Sequence, residues 1–248
     1  MSGPSAVLVI AGSDSSGGAG MGRDLRVLAQ LGVAAVCAVS AVTAQTHGRV
    51  VSVHHIAPEL VRAQIRAALQ SARVGAIKIG MLGTAATVSA VADELSQAGS
   101  IPIVLDPVLL SSSGGVLLDE AGRAEMRARL FPLATVLTPN IPEAAALCSA
   151  SSALSHEERV AQARTLLAMG PRAVLLKGGH AAEPEAADLL LMQDAPPHWL
   201  SSPRIDAESR GTGCALASAI AAGLAAGSSV EEACRDARSY VLGMLSTG

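Results

Sequence analysis

The segment Arg210-Gly211-Thr212-Gly213-Cys214 leads into the longest apolar stretch of the chain, Cys214–Ala226, which is rich in small residues. Backbone N–H groups of Gly211, Thr212 and Gly213 can converge there on an anion. The helix dipole adds roughly 0.3–2 kcal/mol toward negative charge. A plain loop-to-helix turn would use the same residues. Asn140 and Glu143, three apart at a strand-to-helix junction, also suit two jobs. Together they could hold a magnesium-bound water, because magnesium prefers oxygen ligands and keeps several of its waters. They equally suit a helix start, with Asn140 as N-cap, Pro142 in the first turn and Glu143 near the dipole. Asp106 before Pro107 is either a strand-end turn former or a carboxylate near metal and phosphates. Lys177 ends the apolar run Ala173–Leu176, where a lysine is costly unless it meets an anion.

Other candidates carry less. Gly12–Gly22 fits no G-x-G-x-x-G register, and no G-x-x-x-x-G-K-[ST] occurs, which excludes a dinucleotide fingerprint and a P-loop. His180, after Gly178-Gly179, could cap or contact a ligand, and a surface role is expected. His47, His54, His55, His156 and His198 show no ligand spacing and are read as surface or loop residues.

Elements that can hold such groups are visible in the pattern. Strands are expected at Ala6–Ile10, Val33–Ser40, Ala76–Ile79, Ile103–Leu105, Thr135–Leu137 and Ala173–Leu176. Their near-continuous apolar character fits parallel strands buried on both faces. Helical spacing marks Pro58–Gln70 and Thr84–Gln97. Capping boxes open two later helices, Ser155 with Glu158 and Ser229 with Glu232. Short strands Ala187–Leu191 and His198–Leu200 follow Lys177. No repeat or long linker interrupts residues 1–248, so one α/β domain is expected. In open parallel sheets ligands bind beyond the carboxyl ends of the strands. Here those ends carry Gly12–Gly20, Gly80-Met81, Asp106-Pro107-Val108, Thr138–Glu143 and Gly178-Gly179-His180.

Composition narrows the function. The chain is 50% hydrophobic, only 16% charged and carries a net charge of −3, which excludes a disordered chain and gives no footprint for nucleic acid. Phe131, Trp199 and Tyr240 are its only aromatic residues, too few for single-strand stacking platforms. Lys78 and Lys177 are the only lysines and Asn140 the only asparagine. Ala6–Ala11 is too short and lacks the basic flank of a signal peptide, and Cys214–Ala226 is shorter than a bilayer span. Cys37, Cys148, Cys214 and Cys234 have no metal spacing. A cytoplasmic protein with reduced thiols and no membrane contact is expected.

Seven segments occur in an order that resembles one family. They are Ala11–Gly20 (Ala-Gly-Ser-Asp-Ser-Ser-Gly-Gly-Ala-Gly), Thr43-Ala44-Gln45, Lys78–Leu82, Leu105–Val108, Thr138–Ala144, Leu176–His180 and Gly211–Cys214. The set is similar to the hydroxymethylpyrimidine/phosphomethylpyrimidine kinases of thiamine biosynthesis, in the ribokinase-like superfamily. The resemblance spans Val7 to about Gly227. It implies a three-layer α/β/α sandwich with a mostly parallel central sheet. It also implies Mg·ATP-dependent phosphorylation of 4-amino-5-hydroxymethyl-2-methylpyrimidine and then of its monophosphate, by a homodimer.

Residue by residue, the resemblance implies that Gln45 binds the aminopyrimidine edge, since a side-chain amide both donates and accepts. Gly12, Asp24, Met81 and Val108 match positions lining the pyrimidine pocket. Asp106, Asn140 and Glu143 would organise Mg2+ and its waters, while Lys177, Asn140 and Thr212 would approach ATP. Gly211, Thr212 and Gly213 would stabilise the transferring phosphoryl group. Cys214 stands where many ribokinase relatives carry an aspartate base. A helix N-terminus lowers a thiol pKa, so Cys214 is either the acceptor of the substrate proton or a small residue beside the anion hole. The chain departs from the family's usual residues at Met21-Gly22-Arg23, Thr46, Arg210 and Ala215. Pyridoxal kinase, or a non-catalytic pyrimidine-binding protein, is the alternative reading.

Overall fold

The computed structural model describes residues 5–46, 48–111, 114–153, 155–179, 185–205 and 210–246. The first half of the chain runs β1 (Ala6–Asp14), α1 (Gly20–Gln30), β2 (Ala35–Gln45), β3 (Val50–His55), α2 (Pro58–Ser71), β4 (Val74–Ile79), α3 (Ala85–Leu95) and β5 (Ile103–Leu105). The second half runs α4 (Glu120–Arg129), β6 (Val136–Leu137), α5 (Ile141–Cys148), α6 (His156–Leu167), β7 (Ala173–Leu176), β8 (Glu185–Met192), β9 (His198–Pro203), α7 (Thr212–Ala225) and α8 (Val230–Ser246). Among the described residues the nine strands form one sheet in the order β3-β2-β1-β4-β5-β6-β7-β8-β9. From β2 to β7 every pairing is parallel, and β3, β8 and β9 add antiparallel edges.

Strand alternation sorts the core into two layers, because successive side chains point to opposite faces. Leu8, Ile10, Ile77, Ile79, Ile103, Leu105, Leu137, Val174 and Leu176 pack with α2–α6. Val7, Val9, Ala76, Val104, Val136, Ala173 and Leu175 pack with α1, α7 and α8. The result is the α/β/α sandwich expected from the sequence. Alanine-rich α7 lets its backbone lie close to the strands, and nine of its residues are buried.

Local chemistry sets the helix ends. Pro58 occupies the first turn of α2, and the hydroxyl of Thr84 accepts from the Thr87 N–H to cap α3. Ser155 and Glu158 form the expected capping box. Ser229 and Glu232 hydrogen-bond reciprocally in the same way.

The edge strand β3 was not among the expected strands. Its side chains are exposed or half-buried, with Val51 58% exposed, so no apolar face marks it. Pairing with Ala41–Gln45 holds it. His54 and His55 are therefore exposed strand residues and not loop residues. Among the described residues, no helix is long and apolar enough to cross a membrane, and all four cysteines are free thiols. His47 and His180 lie outside the described residues.

The connections leave β1 for β2 on one side and reach β4 on the other. Such a reversal opens a crevice at the carboxyl ends of the strands.

Phe131 is the largest apolar side chain with no exposure at all. Phe131→Ala is expected to cost about 3–5 kcal/mol of stability, measured by urea denaturation; a loss below about 1 kcal/mol would refute this account of the core.

Candidate active site

Two glycine turns meet at the crevice. The first joins β1 to α1 and is tied together by Asp14. Its Oδ1 accepts from the Ser16 N–H and hydroxyl, both at 2.8 Å, and its Oδ2 accepts from the Ala19 N–H at 3.0 Å. The second turn, at Gly211, starts α7. Gly211 has φ +74°, and a β-carbon there would lie 2.4 Å from the Gly18 carbonyl oxygen. Only glycine permits that approach. Arg23 pins the two turns, donating to the carbonyls of Gly18 (3.3 Å) and Arg210 (3.1 Å).

Gln45 ends β2 at the same side of the crevice. Its Nε2 donates to Asp14 Oδ2 and its Oε1 accepts from Thr43 Oγ1, both at 3.4 Å. The Asp14 carboxylate, which only accepts, fixes which end of the amide is the donor. Gly12 and Met81 face each other, since a β-carbon on Gly12 would sit 2.9 Å from Met81 Sδ. Ser40 Oγ donates to the Met81 carbonyl at 2.6 Å and holds that wall. Val108 is half-buried in the turn after β5, where its N–H donates to the Asp106 carbonyl. The three aromatic residues stand elsewhere. Phe131 packs with α2–α6, Trp199 stacks on His156 with ring centroids 4.1 Å apart, and Tyr240 hydrogen-bonds Gln30.

At the opposite side of the crevice, Lys177 Nζ donates to Asp106 Oδ1 at 2.8 Å and lies 4.0 Å from Glu143 Oε2. Thr138 Oγ1 donates to the same Asp106 oxygen at 3.3 Å. Asn140 and Glu143 form a full capping box at the start of α5, each side chain accepting at 2.8 Å from the other's N–H. Their helix-start role is thus realised, and Asn140 Oδ1 is engaged by it. The turn at α7 covers this group: a β-carbon on Gly213 would lie 3.1 Å from Lys177 Nζ and 3.8 Å from Asp106 Oδ2.

A cation fits these residues through its water shell more than through a cage. Among the described residues, no three His, Cys, Asp or Glu side chains gather into a metal-holding group. The charges nevertheless leave a deficit: two carboxylates, Asp106 and Glu143, face the single ammonium of Lys177. Burial, helped by the Asp106 charge and opposed by Lys177, pushes Glu143 up to about 7. A divalent ion would relieve that deficit, and magnesium uses one or two carboxylates plus phosphate oxygens.

Two sequence expectations need correction. Asp24 does not line the pocket. It is fully buried, accepting from Lys78 Nζ at Oδ2 and from Ser218 Oγ at Oδ1, each at 2.8 Å. Cys214, expected to be acidified by its helix N-terminus, has its thiol pushed up to about 11. Burial outweighs the opposing effect of Lys78 and of the Gly20 N–H bonded to the sulfur. Two residues given no role emerge here: Lys78, sealed with Asp24 beneath the site, and Asp14, which belongs to it. A lysine inside the apolar run Ala76–Ile79 was the available signal for one. A turn-forming aspartate among serines and glycines was the signal for the other.

Family comparison agrees with this geometry. The family model for phosphomethylpyrimidine kinase matches residues 14–248. The chain belongs to that family. It is 44% identical to a hydroxymethylpyrimidine/phosphomethylpyrimidine kinase of Streptomyces coelicolor, covering 99% of this chain and 90% of the relative. A crystal structure of phosphomethylpyrimidine kinase from Clostridium difficile superposes with a TM-score of 0.84 at 31% identity, covering 97% of this chain and 99% of that one. The pyridoxal kinase of Staphylococcus aureus, in complex with AMP-PCP and pyridoxal, superposes at 0.89 with 28% identity, covering 98% and 88%. Such a fold and membership make this a ribokinase-like kinase.

Glu143 supplies a pH test. Its folded pKa of about 7 stands above the ordinary 4.5, so the folded state binds the extra proton between those values. The associated stability is present below about 4.5 and lost as pH rises through 7. Relative to Glu143→Gln, the wild type should therefore lose stability between these pH values, read from urea midpoints without divalent cation. Parallel curves for the two proteins would remove the buried-carboxyl argument.

Proposed function

We propose that this protein transfers the γ-phosphoryl group of Mg·ATP to the hydroxymethyl oxygen of 4-amino-5-hydroxymethyl-2-methylpyrimidine, and then a second one to the monophosphate. One observation carries the reading. The Gly211–Gly213 turn lies over the Lys177–Asp106 pair, at the same sheet end as the oriented amide of Gln45. Residues 1–248 are read as one kinase domain, working as a cytoplasmic homodimer on grounds of family resemblance.

In this reading Gln45 matches the donor and acceptor edge of the aminopyrimidine, and Gly12, Met81 and Val108 form its walls. With all three aromatic residues elsewhere, the ring is gripped by hydrogen bonds and apolar contact and not by stacking. Lys177, Asn140 and Thr212 stand toward the nucleotide, and the Gly211, Thr212 and Gly213 amides meet the transferring phosphoryl group. Asp106, Glu143 and Asn140 would hold magnesium through its waters; the ion would neutralise charge on the phosphates. Positioning and charge stabilisation of this kind are the main demands of phosphoryl transfer.

The substrate oxygen attacks the γ-phosphorus as the bond to the ADP oxygen breaks, and the hydroxyl proton passes to Cys214 Sγ. A thiol raised to about 11 is mostly protonated at neutral pH. The acceptor is therefore the thiolate, a minor form at neutral pH that grows as pH rises toward 11, so kcat should rise with pH.

Turnover of ATP with the hydroxymethylpyrimidine, its monophosphate and pyridoxal, side by side, tests the assignment. Turnover with both pyrimidines and less with pyridoxal is expected; none with either pyrimidine would overturn it. For Cys214→Ala, kcat at saturating substrate should fall by on the order of 100-fold, and the rise of kcat with pH expected of the wild type should vanish. A change in KM alone would remove the proton-acceptor role.

A further inference from the structure

Strand β7 pairs with β8 from Ala173 opposite Met192 to Leu176 opposite Leu189, and then leaves it. Lys177 bridges to Asn140 instead, its N–H donating to the Pro139 carbonyl at 2.8 Å. The next N–H, of buried Gly178, has thereby lost its ladder partner, and a buried N–H needs an acceptor. Asp188 of β8 supplies one: its Oδ1 accepts from the Gly178 N–H at 2.7 Å. Gly178 runs so close to β8 that a β-carbon on it would sit 1.9 Å from the Ala187 carbonyl oxygen. The other oxygen of Asp188 accepts from Arg238 Nε of α8 at 3.1 Å. Arg238 donates as well to the Ala186 carbonyl and to Ser202 Oγ.

Two hydrogen bonds thus flank the Lys177 α-carbon. Each holds a peptide plane, since the peptide unit is rigid, and the two planes together set the direction in which the side chain leaves the backbone. We propose that Asp188 is a positioning residue for Lys177: through the Gly178 N–H it aims the lysine at Asp106 and at the phosphates of the nucleotide, with Arg238 as its anchor on α8. This rests on the reading of Lys177 as a nucleotide-facing residue. A lysine stem is flexible and aims poorly by itself, so the placing of its ammonium 2.8 Å from Asp106 Oδ1 depends on where the backbone starts it. Only 13% of the Asp188 side chain and 11% of that of Arg238 are exposed. A pair so enclosed is often no more stabilising than apolar residues in its place. Holding α8 on the sheet therefore gives no reason for a carboxylate here, whereas the bond to Gly178 does.

Calorimetric titration with Mg·AMP-PCP, in the absence of pyrimidine, reads the nucleotide side alone. Asp188→Leu keeps the volume and removes the acceptor, and should weaken binding by about tenfold. Asp188→Asn keeps an oxygen for the Gly178 N–H and should restore affinity to within a few-fold of wild type. Arg238→Met should lower the urea midpoint yet change the affinity less than Asp188→Leu does. Asp188→Leu/Arg238→Met leaves no unpaired buried charge, so it serves if Asp188→Leu alone does not fold, and it should show the same loss. The deciding comparison is made in Lys177→Ala, where Asp188→Leu should weaken binding no further, because groups acting as one unit are not additive. In turnover, the KM for the pyrimidine should hardly move. An equal loss in both backgrounds, an equal rise in the pyrimidine KM, or no loss in Asp188→Leu would overturn the proposal. Normal nucleotide affinity in Lys177→Ala would instead overturn the reading of Lys177 itself.

Discussion

Between the Gly18 carbonyl and Gly211 there is no room for a β-carbon, and Gly20 is held as tightly, with a β-carbon there 2.6 Å from the Gly12 carbonyl. The first approach clamps the turn after the first strand onto the turn before α7, joining segments almost two hundred residues apart, and the second tightens the first turn on itself. Two parts of the site take their place from that contact. Asp14, fixed by the first turn, orients Gln45. The α7 turn, fixed by the second, lies over Lys177 and Asp106. Arg23 and Arg210 reinforce the clamp, since Arg210 also donates to the Thr46 carbonyl at 3.1 Å. Three of the positions at which the chain departs from its family's usual residues are thus neighbours in one bonded strip.

Charge is arranged around the clamp with the same economy. Both lysines of the chain are paired with carboxylates at 2.8 Å, Lys78 with Asp24 and Lys177 with Asp106. The first pair is sealed between the sheet and two helices, while the second opens on the crevice beside the odd carboxylate, Glu143. That division suits different work. A sealed pair ties α1 to β4 and, through Ser218, to α7. An open pair with a surplus carboxylate accepts a cation and phosphates as they arrive.

Much of the fold was legible in the residue pattern. Six parallel strands were readable because burial on both faces makes their apolar runs nearly unbroken, and both serine capping boxes follow from spacing alone. The edge strand β3 was not, because its pairing satisfies backbone groups and buries no side-chain face. Candidate site residues were readable as a set at strand ends. Their individual states were not: Asn140 and Glu143 as a capping box, or Asp24 buried away from the ligand, depend on neighbours distant in sequence.

By itself, the sequence determined which groups exist, in what order along the strands, and that few aromatic residues or lysines were available. Tertiary structure decided what each group faces. Cys214 illustrates the difference. Its place at a helix start is local and predicts an acidic thiol, yet packing between α1, α7 and β4 raises its proton affinity. The dipole of one helix end acts over a turn and is modest, whereas desolvation depends on every element packed around the sulfur.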